Sequence, residues 1–182
     1  MDDILNKVRD YADASHEGQT RRYSPDKYIV HPLRVMNTCK EFTSDLSILC
    51  AALLHDVLED TRVQPAQLLE FLLSLMHETE AKRTLQLVTE LTDVYVKKDY
   101  PKLNRRTRKN KELERLIQIS AASQTIKYAD IIDNTGDIVE DDPDFARVYL
   151  YECRAILRKL NKGEPALHER AMQVVNNRIE KL

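Results

Sequence analysis

The sequence predicts an all-α protein, a single-domain helical bundle over residues 1–182. Three observations carry that expectation. Three glycines and six prolines are all that interrupt a chain rich in Leu, Ala, Glu, Lys and Arg, a composition that favours helices. Apolar residues recur at helical rather than alternating spacing, beginning with Ile4, Leu5, Val8, Tyr11 and Ala12. At 182 residues the chain can bury one substantial core and needs no second.

The elements follow in order. Asp2 or Asp3 caps a first helix ending near Ser15. Residues 16–29 form a loop carrying Gln19, Arg21, Arg22 and Tyr28. His31-Pro32 restarts a helix with proline at its first position, where a missing N–H costs nothing. Ser44 or Asp45 caps a central apolar helix expected to run to Asp60-Thr61. Gln64-Pro65 opens a leucine-rich helix to about Met76, and another runs from near Glu80 to Leu91. A helix starting near Asn104 passes into Leu113, Leu116 and Ile117. After a break at 120–123 comes an apolar segment with embedded acids, 125–134, and then an acidic surface loop to Asp144. The last two helices, 143–160 and 165–181, are divided by Asn161-Lys162-Gly163, a stop signal.

Charge and composition exclude several classes of function. The net charge is −2, so neither a nucleic acid nor a membrane surface is an expected partner. No apolar run has the length of a membrane span. The start, Met1-Asp2-Asp3, lacks the apolar core of a secretory signal. Cys39, Cys50 and Cys153 are widely spaced and odd in number, which predicts reduced core thiols of a cytoplasmic protein. One basic run stands out: Lys97, Lys98, Lys102, Arg105, Arg106, Arg108, Lys109 and Lys111 against Asp99 alone. It reads either as a solvated surface or as a source of phosphate-binding guanidiniums, with Arg105 or Arg108 nearest the site. Nucleic-acid binding is the weaker reading, because Tyr100 is its one aromatic.

Chemistry concentrates in residues 51–61, Ala-Ala-Leu-Leu-His-Asp-Val-Leu-Glu-Asp-Thr. An apolar helix ends in one imidazole and three carboxylates, an expensive arrangement unless a cation or substrate compensates them. His55 and Asp56 offer two unlike ligands, with Glu59 and Asp60 one turn further along. His31, at the Tyr28-Ile29-Val30-His31-Pro32 corner, and Asp130, alone in an apolar segment, are the third and fourth candidates. Mixed imidazole and carboxylate suits manganese, iron or zinc. Singly, each has an ordinary reading, a hydrogen-bonded core histidine or an acid paired with Lys127. His16, His77 and His168 are treated as non-ligands.

These segments resemble the HD superfamily of metal-dependent phosphohydrolases, and within it the hydrolase domain of RelA/SpoT proteins and the small alarmone hydrolases. The resemblance begins at His16-Glu17-Gly18-Gln19-Thr20-Arg21-Arg22 and Tyr28-Ile29-Val30-His31-Pro32-Leu33. It continues through residues 51–61, Val88-Thr89-Glu90-Leu91-Thr92-Asp93, Ile126-Lys127-Tyr128-Ala129-Asp130, Asn134 and the helix of Arg147 and Tyr151. It implies a helical bundle of the HD-domain type in which His31, His55, Asp56 and Asp130 hold Mn2+. Glu59 and Asp60 would then orient or deprotonate water and handle the leaving group's proton. Arg21, Arg22, Asn134, Arg147 and Tyr151 match substrate-facing positions. The implied reaction is hydrolysis of the 3′-pyrophosphate of (p)ppGpp, a small phosphorylated nucleotide. The chain departs from the family at Lys27, where proline is usual, at Ile131 and Asp133, and in the basic stretch at 104–108. The implied chemistry therefore transfers more directly than the substrate. NADPH, another phosphoester, or binding without catalysis are the alternatives.

Overall fold

Asp45 starts the central element. Its carboxylate accepts from the backbone N–H groups of Ser47 (3.0 Å) and Ile48 (3.3 Å), capping helix α3, Leu46–Leu54. Every residue of α3 from Ser47 onward is buried. Each leucine or isoleucine so buried contributes about 1.5–3 kcal/mol relative to exposure. The computed structural model describes residues 1–22 and 24–182, apart from the side chains of 137 and 139–141. Among the described residues it contains ten helices and no strand, with one isolated antiparallel bridge between Thr20 and Lys27.

Around α3 pack α1 (Asp2–Ser15), α2 (Val30–Lys40) and α6 (Glu78–Leu91). The second organising element is α8 (Ala121–Asp141), which packs on α2, α6, α9 (Pro143–Leu157) and α10 (Pro165–Ile179). Helix α5 (Pro65–Leu73) lies against α6, and α7 (Arg105–Leu116) touches α9. The three cysteines are buried and free, and burial pushes each thiol up to about 12. No helix among the described residues is long and apolar enough to cross a membrane.

Several boundaries differ from the sequence reading. Met1, not Asp2 or Asp3, is the N-cap of α1, and both acids lie inside its first turn without capping it. Helix α8 begins at Ala121, inside the expected break at 120–123, because the Ser120 side chain caps it. Helix α2 starts at Val30, two residues before Pro32, which still lies in the first turn where its N–H is not needed. The central helix ends at Leu54, and a separate short turn, α4, spans Val57–Asp60. Here the His55 Nδ1–H donates to Ala52 O (2.8 Å), the carbonyl that a continuous helix would give to the Asp56 N–H. The expected acidic loop before residue 142 is instead the end of α8. Ile131, Thr135 and Ile138 continue its buried stripe past Gly136. The Thr135 hydroxyl satisfies itself on the carbonyl of Ile131 (2.8 Å).

Candidate functional site: a metal centre beside an arginine-lined groove

Four elements meet over one point. Helix α2 brings His31, the end of α3 brings His55, the turn before α4 brings Asp56, and the middle of α8 brings Asp130. His31 Nε2 lies 3.2 Å from His55 Nε2, 3.5 Å from Asp56 Oδ2 and 3.3 Å from Asp130 Oδ1. His55 Nε2 lies 3.1 Å from Asp56 Oδ2 and 3.6 Å from Asp130 Oδ1. His31, His55 and Asp56 form a group with metal-binding geometry. Both imidazoles and Asp130 are buried, at 1, 4 and 5% exposure.

The tautomers show what this cluster wants. His55 Nδ1 must carry hydrogen to donate to Ala52 O, and His31 Nδ1 faces Asp133 Oδ2 at 2.7 Å. Both neutral rings therefore turn a bare Nε2 lone pair toward the other and toward two carboxylates. Four acceptors facing one another need a cation or protons between them. Ligands bonded to a divalent ion at about 2.1 Å stand roughly 3.0–3.5 Å apart, so His31, His55 and Asp56 fit such an ion, with Asp130 Oδ1 close by at 3.3 and 3.6 Å from the two rings. Protons are the alternative to a cation. Burial opposes charge on His31, but Asp130, Asp133 and Asp56 outweigh it and lift the ring to about 9. Burial likewise works against Asp56 and Asp130, yet His55 (for Asp56) and Lys127 (for Asp130), with the facing imidazoles, hold both carboxyls well below their usual range.

Glu59 and Asp60 flank this centre. Glu59 Oε2 accepts from the Asp93 N–H (2.9 Å). Surrounding protein raises its carboxyl first, then the charges of Asp93 and Asp56, to about 7. Asp60 is raised by the protein packed beside its carboxyl and by the charge of Asp56. Both residues keep an exposed edge, so solvent offsets part of the effect on each. The Tyr28 hydroxyl bridges Asp56 Oδ2 (2.6 Å) and Asp60 Oδ2 (3.1 Å). Its one proton serves the shorter contact, and a proton on Asp60 would satisfy the other. Lys127 donates to Asp130 Oδ2 (2.7 Å), so the ordinary pairing considered for Asp130 exists alongside its approach to the imidazoles.

Beside the centre lies a groove of about 360 Å³, lined by Thr20, Arg21, Arg22, Tyr28, Asn134, Phe145 and Tyr149. Arg21 donates to Asn134 Oδ1 (3.1 Å), and Asn134 Nδ2 donates to Asp130 Oδ1 (2.6 Å). Arg22 and Arg105 both lie over the Phe145 ring, at 5.4 and 5.1 Å, and Arg105 also grips Glu152 through two hydrogen bonds (3.0 and 2.7 Å). Arg147 and Tyr151 are not brought to this groove. Both are exposed, and Tyr151 carries the Arg154 guanidinium on its ring. Helical spacing explains the difference: Phe145 and Tyr149 are four apart and share the inward face, while 147 and 151 fall on the opposite one. Sequence reasoning gave Asp133, Phe145, Tyr149 and Tyr28 no role at the site, and named Lys127 only as a possible pair for Asp130. The i, i+3 spacing of Asp130 and Asp133 was the available signal for one of them.

Residues 28–135, which hold all four convergent side chains, match the model of the HD domain family. The chain belongs to the HD domain family. In an alignment of 149 positions that covers 74% of this HD-domain chain, it is 32% identical to a probable guanosine-3′,5′-bis(diphosphate) 3′-pyrophosphohydrolase of Mycoplasma pneumoniae, of which it spans 18%. Over 47 residues, 26% of the chain and 7% of the relative, it is 53% identical to the bifunctional (p)ppGpp synthase/hydrolase SpoT of Escherichia coli. The HD chain thus spans less than a fifth of the length of these relatives. Among solved structures it is similar to one described as a metazoan ortholog of SpoT that hydrolyzes ppGpp. That similarity has a TM-score of 0.76 and 25% identity, and covers 96% of this chain and 95% of the other.

Proposed function

We propose that this HD domain is a manganese-dependent phosphohydrolase that removes the 3′-pyrophosphate of ppGpp. The observation that carries the reading is the convergence of two imidazoles and two carboxylates with two further carboxylates one turn away. A structural metal site has no use for Glu59 and Asp60. The printed functions of the Mycoplasma relative and of the metazoan structure support the substrate.

The chain's residues divide the work. His31, His55, Asp56 and Asp130 would hold the ion. A divalent ion there stabilises charge on a phosphoryl oxygen and acidifies water near neutral pH. Glu59, raised to about 7, is poised to take a proton from water, since a base works best near the operating pH. Asp60, held by Tyr28, is placed to return a proton to the leaving group. Arg21 and Arg22 offer guanidiniums to substrate phosphates. Phe145 and Tyr149 offer rings to a base.

Incubation with ppGpp and Mn2+ should release pyrophosphate and GDP. Asp56→Ala should lose metal and turnover together. Glu59→Ala should keep the metal and lose about 10²–10⁴ of the rate, the usual share of a general base. Hydrolysis of NADPH or another nucleotide in place of ppGpp would overturn the substrate. Nucleotide binding without any turnover would overturn the enzyme.

A further inference from the structure

Asp133 is no candidate metal donor, yet it touches one of the donors and an arginine of the groove. It lies one helical turn after Asp130 on α8, facing His31 and Arg34, which are one turn apart on α2. Its Oδ2 meets His31 Nδ1 at 2.7 Å, its Oδ1 accepts from Arg34 Nε at 2.7 Å, and Arg21 approaches Oδ2 at 3.5 Å. Its side chain is 11% exposed, so these contacts are made largely out of water. Arg21 also reaches Asn134, which in turn donates to Asp130, and Asp130 stands 3.3 Å from His31. The contacts close a ring from His31 through Asp133, Arg21, Asn134 and Asp130 back to His31. Two of its members, His31 and Asp130, face the cation position and two, Arg21 and Asn134, line the groove.

We infer that Asp133 is a positioning residue that fixes the tautomer of His31 and, through the same carboxylate, the reach of Arg21 into the groove. A carboxylate on Nδ1 keeps the hydrogen there, leaves Nε2 free as a donor atom and makes the ring a stronger ligand. The charge of Asp133 is balanced by the guanidiniums of Arg34 and Arg21, so it does not add a fifth anion to the metal face. Because one oxygen serves both His31 and Arg21, loss of the carboxylate reaches the metal and the substrate side together. The inference rests on reading His31 as a metal ligand, not on the identity of the nucleotide.

The test is Mn2+ titration of the metal-stripped protein by calorimetry, for the parent, Asp133→Ala, Asp133→Asn and His31→Ala, each checked for folding by circular dichroism. Asp133→Ala should weaken Mn2+ about 10–100-fold, the usual effect of removing such a partner. Asp133→Asn keeps an oxygen for the His31 hydrogen but loses the charge that holds Arg21. It should stay within about threefold of the parent for Mn2+ while raising KM for ppGpp more than it lowers kcat. Folded Asp133→Ala that binds Mn2+ like the parent, beside His31→Ala that does not, overturns the role of Asp133 alone. His31→Ala with unchanged affinity overturns the metal-ligand reading beneath it. Should Asp133→Ala not fold, Asp133→Asn decides: unchanged affinity and unchanged KM overturn the inference, and a raised KM upholds it.

Discussion

Glu59 carries the sharpest conflict in the molecule. Its carboxyl is desolvated by surrounding protein and faces the charges of Asp93 and Asp56, all of which favour the protonated form and raise it to about 7. A general base must be ionised. The sign follows: activity is full above the folded pKa and falls as pH drops through it. A bound cation and solvent at the site's mouth pull the value back, so the acidic limb should lie between the ordinary glutamate value of 4.5 and about 7. A kcat/KM profile against pH, measured at saturating metal, checks this. A limb above pH 8, or one unchanged in Glu59→Gln, would remove Glu59 from the role of base. The candidate metal donors were legible because unlike ligand types stand out in apolar segments: His55-Asp56 after a buried run, and Asp130 amid isoleucines. The groove was not. Phe145 and Tyr149 resemble any aromatic on a core helix. Which of 145, 147, 149 and 151 faces inward depends on the rotation of α9 against α8, a packing outcome that no single element encodes.

At the scale of elements, capping does much of the specification. Asp45 ends one chain direction and begins another: it caps α3 and receives two bonds from Arg83 of α6, at 2.9 and 2.7 Å. Burial alone would raise its carboxyl, but Arg83 and the two backbone donors hold it below the usual value. Asp45→Ala should cost about 1–2 kcal/mol, mostly from the cap, since a partly exposed pair adds little. That corresponds to a Tm lower by about 2–8 °C for a chain of this size. The folded pKa is depressed, so the contribution is present above the unfolded value of 3.8 and is lost as pH falls below it. Thermal melts at neutral and acidic pH check both the size and the sign, and a Tm gap that widens in acid would contradict the cap. A cap of this kind made the start of α3 readable and lies at Asn104, where a start was also expected, but the sequence reading took the Ser120 cap for a break and set a cap at Asp2 or Asp3 that does not exist. The interruption after Leu54 was not readable, because it comes from a side chain competing for a carbonyl within an otherwise helix-favouring run.

Over the whole molecule, α8, which carries Asp130 and Asn134, is backed by α10 and its leading turn. Lys162 N–H donates to Gln124 Oε1 (2.9 Å), Glu164 N–H to Thr125 Oγ1 (2.9 Å), and the Tyr128 hydroxyl to Leu160 O (2.9 Å). Gly163 sits at the centre of this seam. A Cβ there would lie 2.6 Å from Tyr128 Cε2, 2.8 Å from Thr125 N and 3.0 Å from Thr125 Oγ1. The sequence suggests a mere stop signal, but the residue is needed for close approach. Backbone cannot yield as a flexible side chain can, so Gly163→Ala must push the turn away from α8. It should cost about 1–3 kcal/mol, a Tm lower by about 2–12 °C. The same substitution at Gly136, inside α8 with nothing within 4 Å of the added carbon, should act in the opposite direction. There it removes backbone freedom from the unfolded chain and stabilises by about 0.5–1 kcal/mol. Differential scanning calorimetry of the two variants side by side compares one added methyl at two sites. Equal shifts would mean that the seam between α8 and α10 has slack, and that the placement of Asp130 and Asn134 on α8 must be secured from the α2 side instead.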